Sequence, residues 1–173
     1  MEGKHIISAV VENRSGVLAH IAGLFASRGF NIDSLAVGET ETTEYSRITA
    51  VVRGDDTILE QVRKQLGKLI SVIRVTDLSK ADHVERDLML IKVSAAASKR
   101  GEILEITEVF RGNVVDISPK HVMIEISGPE QKIEAFIELM RPYGIREMVR
   151  TGRVAMMRGG DNASKRRQKT AEG

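Results

Sequence analysis

The strongest constraint on the fold is an order of predicted strands and helices that occurs twice along the chain. A strand rich in β-branched residues occupies residues 4–11, and an apolar pattern with helical spacing follows it after a polar turn. Two more strands, at 31–38 and 45–53, are joined by a polar turn at Glu39 to Glu44. A second amphipathic helix, which Asp55 can cap, and a closing strand at 70–77 follow them. This order, βαββαβ, predicts a four-stranded antiparallel sheet with both helices on one face.

The same order begins again in the second half of the chain. Its predicted elements are strand 86–95, helix 100–111, strands 113–118 and 120–127, a helix that opens at Gly128-Pro129-Glu130, and a last strand at about 145–154. The sequence therefore predicts an α+β protein built from two tandem ferredoxin-like βαββαβ units.

The two units set the predicted domain boundaries. Residues 1–79 form the first domain, 80–83 a linker, 84–158 the second domain, and 159–173 a basic polar tail. The tail contains a cluster of basic residues, Lys165, Arg166, Arg167 and Lys169. A nucleic-acid-binding arm and a solvated terminus are both compatible with such a cluster. We favour the solvated terminus, because the net charge of the whole chain is only +2.

Each predicted unit leaves one face of its sheet without helices. The first strand places apolar side chains on both faces, as in Ile6-Ile7-Ser8-Ala9-Val10-Val11, so the second face also needs cover. The edge strands of each sheet are free to pair with another chain. Both features favour a homodimer.

Several classes of protein are excluded or disfavoured by composition. Cysteine is absent, so the chain has no disulfide framework, thiolate nucleophile or cysteine-held metal. No apolar stretch approaches the roughly 20 residues that cross a bilayer, and the N-terminus lacks the apolar core of a signal peptide. We expect a soluble, cytoplasmic protein without a membrane segment.

Neither a catalytic site nor an RNA-binding surface is indicated. The histidines, His5, His20, His83 and His121, show no metal-ligand spacing, and no phosphate loop or dinucleotide motif is present. RNA recognition motifs share this strand order but stack bases on aromatic side chains of the sheet. Here Phe25, Phe110 and Phe136 fall on the apolar faces of helices. We expect no catalytic residue, no metal and no bound nucleic acid.

The turn at residues 12–18 is the best candidate for a ligand site. It leads from a strand into the start of a helix, where unpaired backbone amides and the helix dipole suit a carboxylate. Gly16 permits close approach, Asn13 can donate and accept, and Asn31 at the start of the next strand could add a polar contact. A capped turn without any ligand explains the same residue types, and spacing alone favours that interpretation.

The equivalent turn of the second unit reads Ala97-Ser98-Lys99-Arg100-Gly101-Glu102. It keeps a glycine but has no counterpart of Asn13. If the first turn is a site, the second is not a working copy, so we expect only the first unit to sense a ligand.

Several runs in the sequence resemble the small subunit of acetolactate synthase, whose N-terminal part is an ACT domain. They are Val10-Val11-Glu12-Asn13-Arg14-Ser15-Gly16-Val17-Leu18, Gly23-Leu24-Phe25, Arg28-Gly29-Phe30-Asn31-Ile32-Asp33-Ser34-Leu35, Val72-Ile73-Arg74-Val75, His83-Val84-Glu85-Arg86-Asp87-Leu88 and Phe110-Arg111-Gly112. The similarity covers about residues 4–158. It implies an ACT domain followed by a second, ACT-like domain.

The resemblance also implies a function without catalysis by this chain. Such a subunit activates a large catalytic subunit that opens valine, leucine and isoleucine synthesis, and it confers feedback inhibition, usually by valine. Thiamine diphosphate, Mg and FAD would belong to the large subunit. The alternative is a stand-alone amino-acid sensor that acts on another enzyme or on a transcription factor.

The resemblance places the effector between the ACT domains of a homodimer. The implied effector-binding residues are Asn13, Ser15, Gly16, Val17 and Leu18 from one copy and Asn31 and Ile32 from the other. Selectivity among valine, leucine and isoleucine stays open, because one methylene is worth only about 1–3 kcal/mol.

Overall fold

A computed structural model describes residues 3–159 of the chain. The basic cluster predicted in the tail lies outside these residues. The first unit consists of β1 (Gly3–Glu12), α1 (Val17–Ser27), β2 (Asn31–Glu39), β3 (Tyr45–Gly54), α2 (Asp56–Leu66) and β4 (Val72–Asp77). Its strands form an antiparallel sheet in the order β2-β3-β1-β4, so β2 and β4 are the edge strands.

The second unit repeats this arrangement. It consists of β5 (His83–Ser94), α3 (Arg100–Val109), β6 (Asn113–Ile117), β7 (His121–Gly128), α4 (Glu130–Met140), a short 3-10 helix (Arg141–Tyr143), β8 (Ile145–Arg150) and β9 (Val154–Met157). The order β6-β7-β5-β8 matches that of the first sheet. The predicted tandem βαββαβ architecture is confirmed.

Alternation along the strands explains where the two cores form. Ile7, Ala9 and Val11 of β1 point to the helical face and pack with Ile21 and Phe25 of α1. The second unit repeats the pattern with Met89, Ile91 and Val93 of β5, which belong to the same core as Ile103 and Phe136.

The starts of the two later helices differ in how they are capped. Asp55 caps α2 as predicted, since its carboxylate accepts a hydrogen bond of 2.9 Å from the Ile58 amide. Pro129 was expected at the first helical position of α4. It lies instead at the N-cap, with extended backbone (φ −68°, ψ 161°).

The prediction of one last strand at residues 145–154 was wrong. β8 ends at Arg150, and the chain reverses through Gly152, whose φ of +84° is a conformation that suits glycine. β9 then pairs antiparallel with the first half of β5, from His83 to Arg86. Since β8 pairs with the second half of β5, this one strand takes part in both ribbons.

The ribbon of β5 and β9 covers the free face of the first sheet. Ala155 of β9 packs in a small buried cluster with Ile6, Val51 and Leu78. The cover that the sequence required for this face therefore comes from the chain itself. A second copy is not needed for that purpose.

A buried arginine fixes the ribbon where the two units meet. The side chain of Arg153 is only 9% exposed and pairs with Glu130 at 2.7 Å and with Glu85 at 3.3 Å. Its backbone amide donates a hydrogen bond of 2.8 Å to the Ser34 hydroxyl in β2. Lys4 of β1 also donates to the Glu130 carboxylate. This junction thus ties β1 and β2 of the first sheet to the start of α4 and to the turn before β9.

Within residues 3–159, none of the helices is long and apolar enough to span a membrane.

Substitution of Gly152 by alanine should destabilise the protein by about 2 kcal/mol. The new Cβ would lie 3.0 Å from the Leu35 carbonyl oxygen, in addition to the cost of positive φ. Gly29→Ala is the matched control, because its φ is +67° but nothing lies within 4 Å of its Cβ. Urea unfolding of both variants measures the difference, and an equal loss for both would contradict the close packing at residue 152.

The pairing of Glu130 should appear in the pH dependence of stability. Burial raises the pKa of Glu130, but hydrogen bonds from Lys4 and Arg153 outweigh it, so the pKa lies below its ordinary value of 4.5. A lowered folded-state pKa gives stability that is complete above pH 4.5 and is lost as the pH falls below it. Glu130→Gln should therefore be less stable than the wild type at pH 7. The difference in free energy of unfolding between the two should become smaller as the pH falls below 4.5.

Urea unfolding between neutral pH and the acid limit of folding measures this difference. Glu138→Gln is the control, since the Glu138 carboxylate is 64% exposed and pairs with an exposed arginine. If the difference in free energy of unfolding between Glu130→Gln and the wild type stays constant with pH, the lowered pKa of Glu130 is contradicted.

Candidate functional site

The side chain of Asn13 is held rigidly at the end of β1. Its Nδ2 donates hydrogen bonds of 2.9 Å to the Thr43 carbonyl and 3.1 Å to the Glu39 carboxylate, and its backbone amide donates one of 2.8 Å to the Glu44 carbonyl. Both amide hydrogens of the side chain are thereby used. The group that Asn13 can offer to a ligand is its Oδ1, which is an acceptor.

The start of α1 lies next to this acceptor. Gly16 occupies the N-cap with φ +86°, and no side chain caps the helix. The first helical hydrogen bond runs from the His20 amide to the Gly16 carbonyl, so the amides of Leu18 and Ala19 precede it. These amides and the helix dipole suit a carboxylate. α3 and α4 also begin without a side-chain cap, so only the combination with Asn13 distinguishes this turn.

The predicted residues of the turn differ in exposure. Ser15 and Gly16 are exposed, and Leu18 is 43% exposed. Val17 is buried in the core of the first unit at 7% exposure. Its side chain is therefore not available to a ligand, and only the backbone could contribute there.

Within one chain, Asn31 and Ile32 do not join the turn. They open β2, whereas Asn13 lies beside Glu39 at the other end of the same strand. The nine residues of β2 span about 30 Å. Within one copy of the chain, the two groups of predicted effector-binding residues therefore lie at opposite ends of the edge strand.

Apolar side chains lie along this edge strand. Leu35 and Val37 pair with Ala50 and Ile48 on the helical face of the sheet and are 36% and 47% exposed. Leu18 of α1 lies on the same side of the sheet. An edge strand with exposed apolar neighbours is suited to pairing with another chain.

Comparison with known proteins gives the chain a family. Residues 7–74 match the model of the AHAS small subunit-like ACT domain, and residues 86–159 match that of the small subunit of acetolactate synthase. A probable acetolactate synthase small subunit of Archaeoglobus fulgidus is 56% identical over 156 residues, which are 90% of this chain and 98% of that protein. The chain belongs to the acetolactate synthase small subunit family.

Other relatives agree with this family. The acetolactate synthase small subunit of Aquifex aeolicus is 55% identical over 90% of this chain and 81% of its own length. The crystal structure of the acetolactate synthase small subunit from Thermotoga maritima is 43% identical, with a TM-score of 0.84 over 92% of this chain and 99% of that one. This agreement in structure extends across both βαββαβ units.

The corresponding turn of the second unit is filled by an arginine. Arg100 Nη2 donates hydrogen bonds to the carbonyl oxygens of Ala95, Ser118 and Pro119, at 3.2, 3.0 and 2.8 Å. Its guanidinium thus ties the start of α3 to the turn between β6 and β7. The second turn has a structural role in this small subunit, which agrees with the absence of a counterpart to Asn13.

The sequence did not reveal the residues that hold Asn13 in place. Glu39, Thr43 and Glu44 lie in or beside the turn between β2 and β3, about 30 residues away in the chain. Their only signal was a polar turn at that place. Among residues 3–159, no three His, Cys, Asp or Glu side chains are grouped so that they could hold a metal ion.

Proposed function

We propose that this chain is the regulatory subunit of an acetolactate synthase. It activates a large catalytic subunit that uses thiamine diphosphate, and it transmits feedback inhibition by a branched-chain amino acid, with valine as the expected effector. Thiamine diphosphate, Mg and FAD belong to the catalytic subunit in this proposal, and this chain performs no catalysis itself. The observation that carries the proposal is the fixed acceptor of Asn13 beside the open start of α1.

The chemistry of this turn matches a free amino acid. The carboxylate of the effector accepts hydrogen bonds from the amides of Leu18 and Ala19. Its ammonium donates to Asn13 Oδ1. The Asn13 Nδ2 donors do not compete for the ligand, because both are already bonded within the chain. The exposed side chain of Leu18 supplies an apolar contact for a branched aliphatic group.

A homodimer through β2 would complete the site. If two β2 strands pair antiparallel about a two-fold axis at Leu35, the central residue of the strand, Asn31 of one copy lies opposite Glu39 of the other. Glu39 accepts a hydrogen bond from Asn13 in its own chain. The pairing therefore brings Asn13 of one copy close to Asn31 and Ile32 of the other, and it does so at both ends of the ribbon.

A site between two copies would provide the regulatory switch. A ligand that contacts both copies favours one relative placement of the two over others. A coupling free energy of about 1–3 kcal/mol between this site and the catalytic subunit is enough for useful inhibition.

Asn13→Ala should weaken valine binding about 10- to 100-fold, because a hydrogen bond to a charged ammonium is lost. Calorimetric titration with valine, leucine and isoleucine measures the affinity, and inhibition of the complex reconstituted with its catalytic subunit measures the function. Asn113→Ala, at the start of β6 in the second unit, is the matched control. Unchanged binding and inhibition in Asn13→Ala would refute the site.

Val37→Lys should convert the dimer to a monomer and weaken valine binding with it. The substitution places a charged side chain of each copy two residues from the two-fold axis of the proposed ribbon, where pairing would remove its solvent. Sedimentation velocity measures the mass of the particle in solution. Val109→Lys, at a residue of α3 that is 78% exposed, controls for the added charge. A Val37→Lys variant that remains dimeric would exclude β2 as the interface.

A further inference from the structure

Asp33 occupies a β-bulge at the start of β2. The register with β3 passes from Ile32 opposite Val52 to Ser34 opposite Val51, so Asp33 is the extra residue. A bulge redirects the side chain that it carries. The Asp33 side chain is only 15% exposed, although it lies on an edge strand. The carboxylate is therefore directed toward neighbouring groups of the protein, although the residue as a whole is exposed.

The carboxylate of Asp33 contacts three side chains. Its Oδ1 accepts a hydrogen bond of 3.0 Å from Asn31 Nδ2, and its Oδ2 lies 2.9 Å from Arg53 Nη2 and 3.7 Å from Lys4 Nζ. The bond to Asn31 fixes the orientation of that amide. Asn31 must then present its Oδ1 away from Asp33, as an acceptor, which is the group that an ammonium needs.

The second unit gives an internal comparison for this arrangement. β6 has the same bulge, since the register passes from Val114 opposite Ile124 to Asp116 opposite Met123. The extra residue there is Val115, which has no polar group. Asn113, the counterpart of Asn31, donates instead to Glu125 at 3.3 Å. A carboxylate in the bulge is thus a feature of the unit that carries the proposed site.

The contacts of Asp33 continue to the junction between the two units. Lys4 joins Asp33 to Glu130 at the first position of α4, and Glu130 pairs with Arg153. The Arg153 amide returns to β2 through its hydrogen bond to Ser34, the residue after Asp33. A continuous series of ion pairs and hydrogen bonds therefore connects Asn31 with the start of α4 and the turn before β9.

We propose that Asp33 is a positioning residue of the effector site and that it couples occupancy of this site to the junction of the two units. This inference rests on the function proposed above. An ammonium that binds Asn31 Oδ1 polarises the amide and strengthens its bond to Asp33. The carboxylate then shifts its balance between Arg53 and Lys4, and Lys4 transmits the change to Glu130. Because linkage is reciprocal, a change at the junction alters effector affinity in turn.

The test uses the full chain in complex with its catalytic subunit. The first readout is the valine concentration that gives half-maximal inhibition. The second is hydrogen exchange in the segment that contains the Arg153 amide, with and without valine. Asp33→Asn should weaken inhibition about tenfold and abolish the valine-dependent change in exchange. Asp33→Glu, which keeps the carboxylate, should restore at least part of the valine inhibition and part of the valine-dependent change in exchange.

Lys4→Gln interrupts the coupling without leaving a cavity in either core, because the Lys4 side chain is 42% exposed and belongs to no core cluster. This variant should leave the orientation of Asn31 intact yet reduce the valine-dependent exchange at Arg153. Glu134→Gln is the control, since Glu134 lies on α4 like Glu130 but pairs with Arg150 and not with Lys4.

The outcomes separate this inference from the proposed function. The inference alone is overturned if valine inhibits the wild-type complex and the Asp33→Asn and Lys4→Gln complexes behave like the wild type in both readouts. A wild-type complex insensitive to valine, leucine and isoleucine would overturn the proposed function and the inference with it.

Discussion

The free face of the first sheet is closed by the ribbon of β5 and β9, and the relative placement of the two units depends on this contact. Ile6 and Val51 would be exposed without Ala155, and burial of apolar area is the main favourable term in folding. The buried Arg153 makes the contact specific in geometry, because its charge is compensated only when it pairs with both Glu85 and Glu130. Apolar burial thus supplies attraction, and the ion pairs fix one geometry.

This closure explains why the two units differ in spite of their common topology. The ribbon covers one face of the first sheet and leaves its edge strand β2 free. The second sheet keeps its own face partly open, with Leu88, Leu90 and Val149 at 37%, 37% and 59% exposure. In the first unit the start of α1 is open beside Asn13, whereas in the second Arg100 occupies the corresponding turn. The two units therefore share a strand order but differ at this turn, which Arg100 fills in the second unit and which is open in the first.

The elements that the sequence predicted well are those with a strong local signal. Strands β1, β2 and β3 were placed within one or two residues because they combine β-branched residues with clear turns, and Asp55 marked the start of α2. The last strand was misjudged, because a single glycine such as Gly152 inside a strand pattern is compatible with a bulge as well as with a turn. The turn at Gly152 is fixed by the hydrogen bond from the Arg153 amide to Ser34, 119 residues away in the chain, and it leaves no room for a side chain beside Leu35.

The sequence by itself determined the repeated βαββαβ order, the family resemblance and the candidate turn with Asn13 and Gly16, because each of these depends on residues that are neighbours in the chain. Only the tertiary structure decided which acceptors hold Asn13, that the two groups of predicted effector-binding residues lie at opposite ends of β2, and that Asp33 is linked through Lys4 to Glu130. The physical reason is that these contacts join residues between 20 and 126 positions apart, such as Arg53 with Asp33 and Lys4 with Glu130. Their geometry follows from sheet register and from a bulge, neither of which leaves a periodic signal in the sequence.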